Sequence, residues 1–313
     1  MAAMKIKKTG EDYAIIGISY LILFLFALIT FFPFINVVCK AFSEEWAVVS
    51  GQVGLLPVGF QFDTMKYVVS SDMFLNAFKM SLIVTVLGTL LGVFMTALVA
   101  YPLSKKHMKG IKLILFLFVF TMLFHGGLVP TYLLIKKLGI YNTPWSLILP
   151  GAISVYNMLI IKNYYESLPE SLEESARIDG AGNLRIFFSL IVPLSKPVLA
   201  TITLFTAVGL WNEYFNAMVY ITSTELKTLP LYLRDIIVDA ASGSSADQLM
   251  NMPGESVRAA TIIASAVPIL CVYPFVQKYF VSGVTLGAVE GNFDWFCQGI
   301  RVGNNCFWIL GTM

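Results

Sequence analysis

Apolar residues run along this chain in long blocks, and polar residues gather between them. Read from charge to charge, uncharged stretches cover Tyr13 to Cys39, Met80 to Ser104, Leu113 to Ile135 and Leu138 to Ile161. A fifth runs from Pro197 to Asn212 and resumes after Glu213, and a sixth covers Ala259 to Gln277. At about 1.5 Å per helical residue, about 20 apolar residues cross the ~30 Å hydrocarbon core of a bilayer. Each block therefore predicts a spanning helix, and the expected fold class is an all-α polytopic membrane protein with six transmembrane helices.

Composition agrees. Of 313 residues 57% are hydrophobic and only 13% charged, about half the charge that a soluble domain uses to cover its surface. The 21 Lys and Arg nearly balance the 19 Asp and Glu, for a net charge of +2. That balance excludes a nucleic-acid footprint. Cys39, Cys271, Cys297 and Cys306 show no CxxC spacing, and His107 and His125 stand alone. Neither a metal site nor a disulfide framework is suggested.

Lys and Arg near the span ends set the expected orientation. Lys5, Lys7 and Lys8 precede the first span, and Lys105, Lys106, Lys109 and Lys112 fill the second connection. Lys162, Arg177, Arg185 and Lys196 lie between the fourth and fifth spans. These segments are expected inside, with both termini. The loop after the first span carries Glu44, Glu45, Asp63 and Asp72 instead. Lys136 and Lys137 fall on the outer side and are the exception. The first apolar block is too long for a signal-peptide core, so it reads as a retained anchor. In the second span Gly88 and Gly92 stand in GxxxG spacing among Ser81, Thr85 and Thr96. Such residues let helix backbones approach closely, and interior packing is the favoured reading over dimerisation.

The fourth-to-fifth connection, Asn163 to Lys196, contains a punctuated helix. Ser167 reads as its N-cap with Glu170 three residues on, a capping-box spacing, and Pro169 suits the first turn. Glu170, Glu173 and Glu174 favour the positive end of the helix dipole. Glu173 and Arg177 are spaced to pair, and Gly180 reads as the C′ residue. Leu172, Ala176 and Asp179 share one face. A second short helix is expected from about Leu184, ending at Pro193.

Glu174-Ser175-Ala176, then Gly180, then Leu190-Ile191-Val192-Pro193 resemble the EAA motif of ABC importer permeases, with Ser175, Leu190 and Val192 as modest departures. Asp179-Gly180-Ala181 is similar to that family's frequent Asp-Gly-Ala run. Trp211-Asn212-Glu213, Gln277 to Phe280 with Gly283, and Gly126 to Tyr132 resemble further segments of its carbohydrate-importing branch, the maltose-permease-like one. The resemblance implies a cytoplasmic coupling helix docked on a separate ATPase subunit. Glu174, Ser175, Ala176 and Gly180 would form the docking surface, Asp179 and Ala181 would support the turn, and Pro193 would end the element. It also implies a second permease subunit, an extracytoplasmic solute-binding protein, a carbohydrate substrate and a cytoplasmic-membrane location. The sequence has no G-x-x-x-x-G-K-[ST] loop, so the expectation is no enzyme and no cofactor on this chain, with ATP used by the partner.

Glu213 is the main ionisable residue inside an apolar stretch, and a carboxylate at membrane depth needs water, a ligand or an internal partner. With Trp211 and Asn212 it offers what a sugar needs, an aromatic face and hydrogen-bonding groups. An interfacial aromatic belt with Glu213 facing water is the open alternative. The polar stretch Thr222 to Val257 is expected to meet the solute-binding protein. The aromatic tail from Asn292 to Met313 departs from the family pattern. The expected division is 1–73 for the first helix and its loop, 74–280 for the transport domain, and 281–313 for a cytoplasmic tail. A secondary transporter or channel is the competing reading; it would want more membrane-embedded acids. A polytopic enzyme would want clustered His, Asp or Ser. Neither accounts for the EAA-like loop.

Overall fold

The computed structural model describes residues 10–105, 108–124, 126–241, 254–268 and 270–271. Lys106, both histidines, the Ser242–Ser245 stretch, the Gln277 to Gly283 segment and the expected 281–313 tail lie outside the described residues. Among those described there is no strand. The helices are α1 (Gly10–Ala41), α2 (Glu45–Val49), α3 (Asp63–Ser70), α4 (Asp72–Leu103), α5 (Ile111–Leu123), α6 (Leu128–Lys137) and α7 (Trp145–Ile148). They continue as α8 (Val155–Ser167), α9 (Glu170–Ile178), α10 (Asn183–Leu194), α11 (Lys196–Trp211), α12 (Phe215–Tyr220), α13 (Leu229–Ala241) and α14 (255–268).

Two helices, α1 and α4, are long and apolar enough to cross a membrane unbroken. At 32 residues, α4 is about 48 Å long and overruns the hydrocarbon core at its ends. It is the hub of the bundle and packs along both α11 and α8. The small-residue stripe explains how. A Cβ added at Gly88 would come 2.7 Å from Leu210 Cδ1, and one at Gly92 would come 3.4 Å from the Ala152 carbonyl. The GxxxG pair thus serves interior packing, as expected. Helix α1 differs: from Ile18 to Phe34 its large apolar side chains are exposed, so lipid or another chain covers them. Only its end packs at home, where Cys39 joins Ala47, Val48 and Val53.

The other expected spans are broken. The third divides into α5 and α6, whose axes differ by 110°. The fourth is interrupted between Leu149 and Ser154, around Pro150 and Gly151, before Ser154 caps α8 by accepting the Asn157 N–H at 3.3 Å. Proline lacks the N–H that would continue the helix. Irregular backbone survives at membrane depth only where protein or a wet cavity surrounds it, and here the Ala152 carbonyl lies against Gly92. The fifth begins after an 82° bend between α10 and α11 and ends at Trp211. The described residues thus supply two unbroken spans, or four if each bent pair counts as one. The expected sixth span runs on beyond residue 271, outside the described residues.

Away from the lysine-rich end of the bundle, polar staples join distant segments. Asn142, held at φ 55, accepts the N–H groups of Thr222 and Ser223 at 2.9 and 3.0 Å through Oδ1 and donates to the Ser223 hydroxyl at 2.7 Å. The Glu45 carboxylate accepts the N–H groups of Glu255 and Ser256 at 2.7 and 2.9 Å, and the Ser256 hydroxyl. It thereby caps α14 from the first residue of α2.

Candidate functional site

Helix α9 hangs from the lysine-rich end of the bundle on short connections. Its start differs from the capping-box expectation. Helix α8 continues through Ser167, whose hydroxyl donates to the Tyr164 carbonyl at 2.7 Å. Pro169 takes the N-cap place of α9 with no side-chain cap. The spacing was right for a cap, but the preceding helix uses the serine to satisfy its own last turn.

The end of α9 fits the sequence closely. Gly180 has φ +80, its N–H donates to the Arg177 carbonyl at 3.0 Å, and the Ala181 N–H donates to the Ala176 carbonyl at 3.0 Å. This pair of bonds is the Schellman arrangement that closes a helix through a left-handed residue. The residues on either side of the turn are anchored: Ala176 and Ala181 both pack, partly buried, against the buried cluster containing Tyr101, Tyr165 and Phe187. So the expected docking set divides. Glu174, Ser175, Asp179 and Gly180 are exposed, whereas Ala176 and Ala181 seat the element on its own bundle. Ala176 is small because its own bundle lies close.

Two exposed residues were missed at the sequence level. Ile178 is 86% exposed and Leu184 68% exposed, unusual for large aliphatic side chains on a polar helix pair. The signal was an isoleucine just before Asp-Gly, on a helix otherwise rich in charge. The expected Glu173–Arg177 pair is replaced: Glu173 pairs with Lys105, just beyond α4. Lys162 and Glu166 pair along α8 at 2.8 Å.

Pro193 does not end α10 as expected. The helical run passes through it to Leu194, with a π-turn over Phe187–Ile191 just before the proline. A residue that cannot donate an N–H is accommodated by a locally wider helix. The bend falls at buried Ser195, and Tyr164 steadies it by donating to the Leu194 carbonyl at 3.2 Å.

The second candidate group lies at the far end of α11. Trp211 turns inward, edge-on to Phe78 with ring centroids 6.0 Å apart. Asn212 is exposed and donates from Nδ2 to the Val208 carbonyl at 2.8 Å. Glu213 lies in the break between α11 and α12, not inside a continuous span. Its Oε1 accepts the Asn216 N–H at 2.9 Å. The internal partner that an embedded carboxylate needs is therefore the open N-terminus of α12. The trio is brought together in sequence, but its side chains point to three different tasks. Among the described residues no cluster of three His, Cys, Asp or Glu could hold a metal.

These features define a helical membrane permease with a protruding, anchored helix–turn–helix. The chain belongs to the family described as binding-protein-dependent transport system inner membrane component, which it matches over residues 85–286. It is 42% identical over 266 residues to Protein LplC of Bacillus subtilis, covering 84% of this chain and 90% of that one. It is 41% identical over 278 residues to the polygalacturonan/rhamnogalacturonan transport system permease protein YtcP of the same organism, covering 87% and 96%. Among solved structures it resembles a chain of a bacterial ABC transporter involved in the import of the acidic polysaccharide alginate. There the TM-score is 0.81 at 34% identity, with 88% of this chain and 99% of that one covered. The resemblance read from the EAA-like loop is thereby borne out.

Proposed function

We propose that this chain is the permease subunit of an ATP-driven importer for an oligosaccharide or polysaccharide in a bacterial cytoplasmic membrane. ATP is hydrolysed by a separate subunit that docks on α9. A second permease subunit and an extracytoplasmic solute-binding protein complete the assembly. The observation that carries the reading is α9 with its Gly180 turn. It is a short helix seated by Ala176 and Ala181 while Glu174, Ile178 and Asp179 stand exposed. A helix–turn element that half-buries two alanines and leaves an isoleucine bare is built to bury the isoleucine elsewhere. The family description supports the solute-binding partner, and the polysaccharides in the names of the relatives support the substrate class.

The test is co-purification of the ATPase with the affinity-tagged chain, followed by uptake in vesicles. Ile178→Asp is expected to abolish ATPase retention in a properly inserted protein. Retention equal to the parent would reject α9 as the docking element. The parent assembly is expected to take up oligogalacturonate or alginate oligosaccharide when ATP is supplied. ATP-driven uptake of peptides or amino acids and of no saccharide would reject the substrate class.

A further inference from the structure

Glu173 is the one acidic residue of α9 that is not exposed. Its side chain is only 14% exposed, and it pairs with Lys105, itself 16% exposed. Lys105 stands just past the last residue of α4, so the pair links the suspended helix to the hub of the bundle. The Lys105 ammonium also lies 4.6 Å from the centroid of the Tyr101 ring, on the last turns of α4. The Tyr101 hydroxyl sits beside Glu173 and Arg177, and its ring packs on Phe187 of α10 at 5.3 Å. Ammonium, carboxylate and ring thus form one knot shared by α4, α9 and α10.

The surroundings of the knot are open. A cavity of about 120 Å³ lies on one side, lined by Ser104, Lys105, Tyr165, Glu170 and Arg177 among others. A second, of about 520 Å³, also borders Lys105 and Arg177, where Leu98, Met108 and Leu184 join them. Packing therefore does not brace α9 around the pair. Beside the alanine seat and the neighbouring Tyr101 hydroxyl, the ion pair ties α9 to the end of α4. A charge pair this little exposed resists separation, because parting it leaves two partly desolvated charges without a partner. The cation–π contact adds to that resistance.

We propose that the Lys105–Glu173 pair is a strut that makes α9 and α4 move together, so that displacement of the docked ATPase reaches the central span. Both are positioning residues. The proposal rests on the docking reading of α9, and its test separates the two. Nitroxides are placed on exposed positions of α9 and α4, Ser171→Cys and Leu90→Cys, in a background whose four native cysteines are replaced by alanine. The distance between them is measured by pulsed electron resonance in the permease–ATPase assembly in nanodiscs, without nucleotide and with ATP and vanadate. In the parent a narrow distribution is expected, unchanged between the two states. Glu173→Gln and Lys105→Met should each broaden it and shift its centre between states, while the ATPase is still retained. The charge swap, Lys105→Glu with Glu173→Lys, should narrow it again.

Single variants as narrow and as nucleotide-independent as the parent would overturn the strut. A swap no better than the singles would overturn it too. Loss of the ATPase from either single variant would also overturn it, placing the pair in the docking surface. Failure of docking itself is read independently, from normal ATPase retention by Ile178→Asp.

Discussion

At the scale of single residues, glycine and glutamate do their work through the backbone. Gly180 is required because the Schellman closure puts its φ at +80, where an L-residue clashes with its own carbonyl by about 1–2 kcal/mol and a β-branched one is a true outlier. Gly180→Val should therefore distort the turn and release the ATPase, while Gly180→Asn, which tolerates that region, should retain it. Equal ATPase retention by both variants would contradict this. The role of Gly180 was legible because a left-handed C′ position selects few residues. Ser167 was misread because a cap spacing does not reveal that the preceding helix still needs that hydroxyl. Glu213, expected beside a substrate pathway, has in addition a capping role through its bond to Asn216 that its residue type did not announce. Glu213→Ala should lose about 1 kcal/mol and lower the melting temperature in detergent by about 2–4 °C. Glu213→Gln, which keeps an acceptor, should stay close to the parent. A melting point for Glu213→Ala equal to that of the parent would show that the bond to Asn216 contributes nothing.

At the scale of elements, hydrophobic runs located the spans but concealed their breaks. Uncharged length reports membrane exposure, and helical continuity is a separate property governed by backbone donors and neighbours. The expected fourth span, Leu138 to Ile161, runs straight through Pro150-Gly151. In the structure this dipeptide leaves irregular backbone, tolerated because the glycine face of α4 comes close enough to cover it. Pro193 looked like a terminator and is absorbed by a π-turn instead. The GxxxG spacing was readable, but not its partner, since the contacts of Gly92 come from Ala152 and Thr206, far along the chain. Gly92→Val puts branched atoms where a Cβ already meets the Ala152 carbonyl at 3.4 Å. It should cost about 1–3 kcal/mol by overpacking. Gly92→Ala adds only an ordinary contact and should be nearly neutral. Thermal unfolding in detergent checks the pair, and equal melting points would mean that α4 and the broken fourth span are not in close contact.

At the scale of the whole molecule, the Glu45 clasp ties the start of α2 to the start of α14, a connection across 210 residues that no sequence pattern announced. Burial by itself would raise the pKa of Glu45. The Ser256 hydroxyl, the N–H groups of Ser256 and Glu255 and the charge of Arg258 outweigh burial and hold it below the ordinary carboxylate value. Lys40 and Arg258 also flank Glu255, at 3.8 and 3.9 Å. A carboxyl with a lowered folded pKa binds its proton more readily when unfolded. Its contribution is therefore complete above the ordinary carboxylate range, and it disappears as the pH falls through the folded value. The clasp also depends on Gly254, since a Cβ there would lie 2.4 Å from Glu45 Cδ. Gly254→Ala should push the carboxylate aside and mimic Glu45→Gln. Both variants should melt below the parent near neutral pH, by the 2–4 °C that about 1 kcal/mol produces in a chain of roughly this size. That gap should close as the pH falls below the ordinary carboxylate range and through the lowered folded value, because the parent then loses what the variants already lack. A gap that persists unchanged at the acid end would show that the ionised carboxylate is not what holds α14 to α2.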